Sequence, residues 1–101
     1  MKKIFLCCAA GMSTSMVVNK MIKAAEQQGI DVDIIAVGIE EFESTLSNYD
    51  CCLIGPQIKY KLADFKAIAD AHNKPVAVIN SMDYGMMRGD KILADALSMI
   101  K

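Results

Sequence analysis

The sequence predicts an α/β domain, a single doubly wound parallel sheet of four strands with helices on both faces, and three observations predict it. Short apolar runs alternate with longer segments of helical periodicity, the pattern of successive βαβ units. The runs are apolar at consecutive positions rather than alternate ones, as strands covered on both faces are. The chain has 101 residues, of which 53% are hydrophobic and 23% charged, enough to build one core without staples. Right-handed crossovers on both faces require the strand order to reverse somewhere, and such sheets place their ligand site at that reversal, beyond the carboxyl ends of the strands.

Lys3 to Cys8 reads as the first strand. A helix follows from about Ser13 to Gln28, with Val17, Val18, Met21 and Ala25 on its apolar stripe and Asn19, Lys20, Lys23, Glu26 and Gln27 facing away. Gly29 stops it. Val32 to Val37 is the second strand, followed by a short helix with Ile39, Phe42 and Leu46 inward and Glu40 and Glu41 in its first turn. Asp50 to Ile54 is the third strand, which Gly55-Pro56 terminates. Leu62, Phe65, Ile68 and Ala69 mark the buried side of a third helix ending near Asn73, with His72 on that apolar side in a structural role. Pro75 opens a fourth strand, Val76 to Ile79, and a loop through Tyr84-Gly85 and Arg88-Gly89 leads to a last helix carrying Ile92, Leu93, Ala96, Leu97 and Ile100. With no internal repeat, linker or low-complexity segment, residues 1–101 form one domain.

The composition excludes several classes. Eleven Lys+Arg against twelve Asp+Glu give a net charge of −1, which is not the basic surface of a dedicated nucleic-acid binder. Lys2-Lys3 followed by apolar Ile4 to Ala10 imitates a signal peptide, but the run stops at Gly11 without a cleavage site, and Ser13-Thr14-Ser15 spoils a membrane span. The four cysteines form two vicinal pairs, Cys7-Cys8 and Cys51-Cys52, instead of a spaced disulfide framework, which favours reduced thiols and a cytoplasmic protein. Vicinal side chains in a strand point to opposite faces, so four sulfurs do not converge on a metal. Neither a metal nor a cofactor is expected.

The chemistry concentrates in Cys8-Ala9-Ala10-Gly11-Met12-Ser13-Thr14-Ser15, between a strand and a helix. A thiol at a strand end, followed by small residues and three hydroxyls, sits where oriented backbone N–H groups bind an anion and favour thiolate over thiol. Cys7, Cys51 and Cys52 lie inside strands and read as buried packing. Cysteine-dependent phosphatases place an arginine six residues after the nucleophile to clamp the phosphoryl group; here that position is Thr14, and the only arginine is Arg88. A loop that binds phosphate without the clamp is suited to holding a phosphocysteine, which suggests a carrier. The competing readings are a low-molecular-weight phosphatase-like cysteine enzyme and a thiol redox module built on Cys7 and Cys8.

Cys8-Ala-Ala-Gly-Met-Ser-Thr-Ser15, Leu53-Ile-Gly-Pro-Gln-Ile58 with Tyr60, and Ile79-Asn-Ser-Met-Asp-Tyr-Gly85 together resemble the enzyme IIB component of the lactose/cellobiose (chitobiose) class of the bacterial phosphoenolpyruvate-dependent sugar phosphotransferase system. The resemblance spans essentially the whole chain, with the three blocks in order. It implies strand order 2-1-3-4 and a cysteine that accepts a phosphoryl group from a phosphohistidine on a IIA partner. That cysteine then passes the group to a sugar, a β-linked disaccharide, imported through a IIC membrane permease. The matching position is Cys8 rather than Cys7, with residues 9 to 15, Ala9 through Ser15, binding the phosphate. The implied enzyme is a protein-phosphohistidine–sugar phosphotransferase, cytoplasmic, working transiently at the inner face of the cell membrane and not inserted in it.

Pro56, Gln57 and Ile58 follow the third strand and are expected at the same sheet edge as Cys8, as a partner-docking rim with Tyr84. Asn80, Ser81 and Asp83, past the fourth strand, are further rim candidates. Of the eight methionines, Met12 is the best candidate for a soft docking contact, and most of the others read as core filler.

Overall fold

The structure, a computed structural model, describes residues 1–9 and 12–100, with side chains described for all of these except residues 12–14. Strands β1 (Lys2–Cys8), β2 (Val32–Gly38), β3 (Cys51–Ile54) and β4 (Val76–Val78) form one sheet of order β2-β1-β3-β4, with every pair parallel. The helices are α1 (Met12–Gln28), α2 (Phe42–Leu46), α3 (Leu62–Ala71), α4 (Ser81–Gly85) and α5 (Gly89–Met99), with 3-10 turns at Ile39–Glu41 and Pro56–Lys61.

Alternation along the strands divides the core in two. Ile4 and Leu6 of β1 and Cys51 and Leu53 of β3 face α1 and α5, where Val17, Met21, Ile92 and Leu93 meet them. Phe5, Cys7, Cys52 and Ile54 face α2 and α3, against Phe42, Leu46 and Phe65. The Phe42 and Phe65 rings stack there with centroids 4.0 Å apart and planes 7° from parallel. The chain leaves β1 in one direction toward β2 and in the other toward β3 and β4. Crossovers of one hand then require helices on opposite faces, which is how α1 and α2/α3 are arranged. The reversal falls between β1 and β3, and Cys8 ends β1 at that point.

One helix crossing and three helix ends fix the frame of the sheet. Helix α5 crosses α1 at Gly89, where a Cβ would stand 2.6 Å from both the Lys20 carbonyl oxygen and the Met21 nitrogen, so only a bare Cα permits the approach. Helices α1, α3 and α4 each close on a residue of positive φ, Gly29, Asn73 and Met87 respectively. The following amides of Ile30, Lys74 and Arg88 then bond back to the carbonyls of Ala25, Ala69 and Asp83.

The structure modifies the sequence expectations at particular places. The segment read as a loop after the fourth strand contains α4, a five-residue helix started by the Asn80 carboxamide, which accepts from the amides of Met82 at 2.9 Å and Asp83 at 3.1 Å. Helix α3 ends at Ala71, and His72 is its exposed cap rather than a member of the apolar face. Ile79 lies outside β4, yet it is buried and donates to the Ile54 carbonyl at 2.8 Å, so the strand's direction continues one residue past its last ladder pair.

Candidate functional site

Cys8 sits between two glycines. In the β1–β2 register it pairs with Gly38, and on the other side β3 ends at the Cys7–Ile54 pair, with Gly55 the next residue alongside. The Gly55 amide donates to the Cys7 carbonyl at 2.8 Å. A Cβ at position 55 would lie 3.4 Å from the Cys8 Cβ and 2.6 Å from Gln57 Oε1, while one at position 38 would have the Ala9 carbonyl oxygen 3.9 Å away. Both neighbours of Cys8 in the sheet are therefore bare backbone, and the Gln57 carboxamide closes over the Gly55 side. Cys8 itself is 1% exposed.

The other three thiols are held as packing groups. Cys7 points to the opposite face of the sheet, where its Sγ donates to the Gly38 carbonyl at 3.5 Å. Burial, then the neighbouring Cys8 and the Glu41 carboxylate, push its thiol up to about 12. Burial and Asp50 push Cys51 up to about 12 as well, and its Sγ approaches the Ala96 carbonyl at 3.8 Å. Cys52 is raised well above the ordinary thiol value by burial and by the adjacent Cys7 and Cys51. All three stay protonated at neutral pH and make poor nucleophiles.

Helix α1 begins at Met12, four residues after Cys8, and runs for 17 residues with no acidic side chain in its first turn. Its first turn and the positive end of its dipole lie at the carboxyl edge of the sheet, close to where β1 ends. Of the residues expected to bind phosphate, Ala9 is exposed next to Cys8, Ser15 is exposed on α1, and the backbone of Met12, Ser13 and Thr14 is helical. Ala10 and Gly11 lie outside the described residues, as do the side chains of Met12, Ser13 and Thr14.

The expected docking residues separate into two kinds. Gln57, exposed in the turn after β3, donates through Nε2 to the Tyr84 hydroxyl on α4 at 2.9 Å, so the β3 and β4 edges are tied together beside Cys8. Pro56 opens the 3-10 turn and is half-buried. Ile58, placed on the docking rim by the sequence reading, is instead 1% exposed and packs into the α2/α3 core with Phe5, Cys7 and Ile54. Its backbone leaves helical geometry at φ −117, ψ 27, which turns the side chain inward; Ile58 anchors the turn and does not face a partner.

The sequence reading also missed an apolar feature of the rim. Besides Met1, the large exposed hydrophobic side chains among the described residues are Met16, Tyr60, Met82 and Met86. Met16 is on the early turns of α1, Tyr60 in the turn after β3, Met82 on α4 and Met86 at its C-cap, all on segments that start at the carboxyl edge of the sheet. Large exposed apolar side chains on such segments are the groups a protein partner covers. The pair at positions 82 and 86 has the spacing of one helical face, a signal visible only once α4 is recognised as a helix.

Among the described residues no group of His, Cys, Asp and Glu is arranged to hold a metal ion, and no helix is long and apolar enough to cross a membrane.

Comparison with known proteins places this arrangement. The chain is 41% identical over 104 residues, covering 98% of it and 96% of the relative, to the PTS system galactose-specific EIIB component of Lactococcus lactis subsp. cremoris (strain MG1363). It is also 41% identical over 100 residues, covering 99% and 97%, to the PTS system oligo-beta-mannoside-specific EIIB component of Bacillus subtilis (strain 168). The solution structure of the cellobiose-specific phosphotransferase IIB component protein from Borrelia burgdorferi superposes with a TM-score of 0.83 at 32% identity, covering 98% of this chain and 91% of that one. A family model described as PTS system, Lactose/Cellobiose specific IIB subunit matches residues 3–95. The chain belongs to the lactose/cellobiose-specific IIB subunit family of the sugar phosphotransferase system, whose role is phosphoryl transfer in sugar import.

Proposed function

We propose that residues 1–101 act as a single phosphoryl-carrier domain in which Cys8 is the covalent acceptor. The observation that carries this reading is the position of Cys8: at the sheet's switch point, flanked by Gly38 and Gly55, with the N-terminus of α1 close behind. The Cys8 thiolate attacks the phosphorus of a phosphohistidine on a IIA partner in line. The S–P bond forms as the P–N bond breaks, and the imidazole leaves and regains its proton. The backbone amides of residues 9 to 15 donate hydrogen bonds to the oxygens of the dianion.

In the second step a sugar hydroxyl attacks the phosphocysteine, the S–P bond breaks, and the thiolate is regenerated. The hydroxyl proton goes to a base supplied by the IIC membrane partner. The high thiol values of Cys7, Cys51 and Cys52 support Cys8 as the carrier, since they remove the competing nucleophiles. The apolar rim of Met16, Tyr60, Met82 and Met86 supports docking of protein partners over the cysteine, at the cytoplasmic face of the membrane. Because Cys8 is buried, the donor phosphorus enters between the edge segments rather than meeting the thiol on an open surface.

The substrate class is a β-linked disaccharide, in keeping with the lactose/cellobiose description of the family. Relatives equally identical to this chain are named for galactose and for oligo-β-mannosides, which supports selection of the individual sugar by the membrane partner. The test is incubation with phosphoenolpyruvate, the general phosphotransferase proteins and a IIA protein of this class, followed by intact mass. The expected result is one added phosphoryl group that depends on IIA and is discharged by membranes containing IIC plus cellobiose or lactose. A protein that gains no phosphoryl group, or releases it at once as inorganic phosphate with turnover of an aryl phosphate, contradicts the carrier reading.

A further inference from the structure

Taking Cys8 as the phosphoryl carrier, we infer that the rim around it is charged with opposite signs on its two flanks, acidic on the β2 side and basic on the β3 side, and that this polarity sets the orientation in which the IIA partner docks. The surface it fits carries a basic patch on one side of its phosphohistidine and an acidic patch on the other. The sheet order β2-β1-β3 places the segments that leave β2 and β3 on opposite sides of β1, and so on opposite sides of Cys8 at its end. Strand β2 keeps register with β1 as far as the Gly38–Cys8 pair, and the Gly55 amide donates to the Cys7 carbonyl at 2.8 Å, so both segments start level with the cysteine.

After β2, Glu40 and Glu41 in the 3-10 turn and Glu43 in the first turn of α2 are all exposed. Glu41 Oε1 lies 4.0 Å from where a Cβ on Gly38 would stand, which puts its carboxylate at this edge. Residues 32–58 contain no Lys or Arg to offset these three charges. After β3, the turn Pro56–Lys61 sets exposed Lys59 and half-buried Lys61 on either side of Tyr60, which is 70% exposed, and residues 51–63 contain no Asp or Glu. Between the flanks, residues 9–19 carry no charge, and past β4 the one acid and one base of residues 79–88, Asp83 and Arg88, cancel. Apolar contact by Met16, Tyr60, Met82 and Met86 is non-directional and does not select a rotation. The charges do, because a partner turned half-way round over Cys8 sets like charge against like on both flanks.

The experiment measures the second-order rate of phosphoryl transfer to the full-length protein from a phosphorylated IIA protein of this class from the same organism, followed by intact mass. It is run at about 0.01 M salt, where charges act over about 30 Å, and at about 1 M, where they act over about 3 Å. Glu40→Lys/Glu43→Lys and Lys59→Glu/Lys61→Glu each reverse one flank and move the net charge in opposite directions. Glu41 is kept, because its carboxylate also acts on the thiols and helps to raise Cys7. The expected result is that both reversals slow transfer about tenfold at low salt. The variant combining them, whose net charge is that of the wild type, is slower than either, and the differences shrink at high salt. Glu40→Gln/Glu43→Gln and Lys59→Gln/Lys61→Gln each slow transfer several-fold, which keeps both flanks testable if a reversal fails to fold. One reversal that slows transfer while the other speeds it is a response to total charge alone and overturns the inference. So does a flank whose reversal leaves transfer from IIA at the wild-type rate, even where discharge to sugar falls. In each of these outcomes the wild type is phosphorylated; a wild type that takes no phosphoryl group from IIA contradicts the carrier reading itself, and this inference with it.

Discussion

Cys8 and Gly55 face each other across the end of the sheet, with the Cys8 Cβ 3.4 Å from the point where a side chain at position 55 would begin. Gly55 has φ −60 and ψ 144, a conformation open to any residue, so the requirement for glycine there is one of space and not of backbone strain. The first atom of a new side chain meets the Gln57 carboxamide, a movable group, before it meets anything rigid. Gly55→Ala is therefore expected to change unfolding free energy by less than about 1 kcal/mol while slowing phosphoryl acceptance. Gly55→Val, which fills more of the space beside the thiol, slows it at least tenfold further. Urea denaturation and the initial rate of phosphorylation by IIA measure the two effects separately; a parallel loss of stability and rate in Gly55→Ala would contradict the steric account.

Gly89 presents the opposite case. There the obstruction is the backbone of Lys20 and Met21, which cannot move without shifting α1. Gly89→Ala is expected to cost about 1–3 kcal/mol by forcing the α1–α5 crossing apart, even though alanine is the better helix former. The denaturation midpoint checks this, and a stabilised variant would show that the crossing is looser than described.

The rim predicts a separation of binding from folding. Met82 and Met86 are 67% and 60% exposed, so Met82→Glu and Met86→Glu leave stability within about 0.5 kcal/mol of wild type. Both are expected to raise the IIA concentration needed for half-maximal phosphorylation, about tenfold or more for the pair. Steady-state phosphorylation at varied IIA concentration reads this directly.

The buried thiols predict alkaline instability. Cys7 and Cys51 titrate near 12 in the folded protein against 9.0 for the ordinary thiol. Below pH 9 both states are protonated and the contribution to stability is fully present. As pH rises from about 9 toward 12 the unfolded chain releases protons that the folded chain retains, so stability falls, by about 1.4 kcal/mol per pH unit for each such thiol. Cys7→Ala and Cys51→Ala are each expected to flatten the decline measured by denaturation between pH 9 and 11, and equal slopes in wild type and variants would contradict the assignment.

Much of this was legible in the residues because long elements announce themselves. The apolar run ending at Cys8 and the stripe of Val17, Val18, Met21 and Ala25 marked β1 and α1 through burial alone, and strand alternation separated Cys7 from Cys8 before any geometry was known. What escaped was set by local closure or by register. Helix α4 has too few residues to show a period; Asn80 starts it and Met87, at φ 53, ends it. Whether Gln57 or Ile58 points outward depends on one non-helical residue inside a 3-10 turn, and no apolar pattern encodes that. Gly55 read only as the end of the third strand, and Gly38 carried no signal of its own, until the pairing of β2 with β1 and of β1 with β3 put both beside the same cysteine.

The central claim is that Cys8, and not its neighbour, carries the phosphoryl group, and its most direct test is the intact mass of Cys8→Ser and Cys7→Ser proteins after incubation with phosphoenolpyruvate, the general phosphotransferase proteins and IIA. The account predicts one added phosphoryl group in Cys7→Ser and none in Cys8→Ser; a phosphoryl group retained by Cys8→Ser, or lost only in Cys7→Ser, would contradict it.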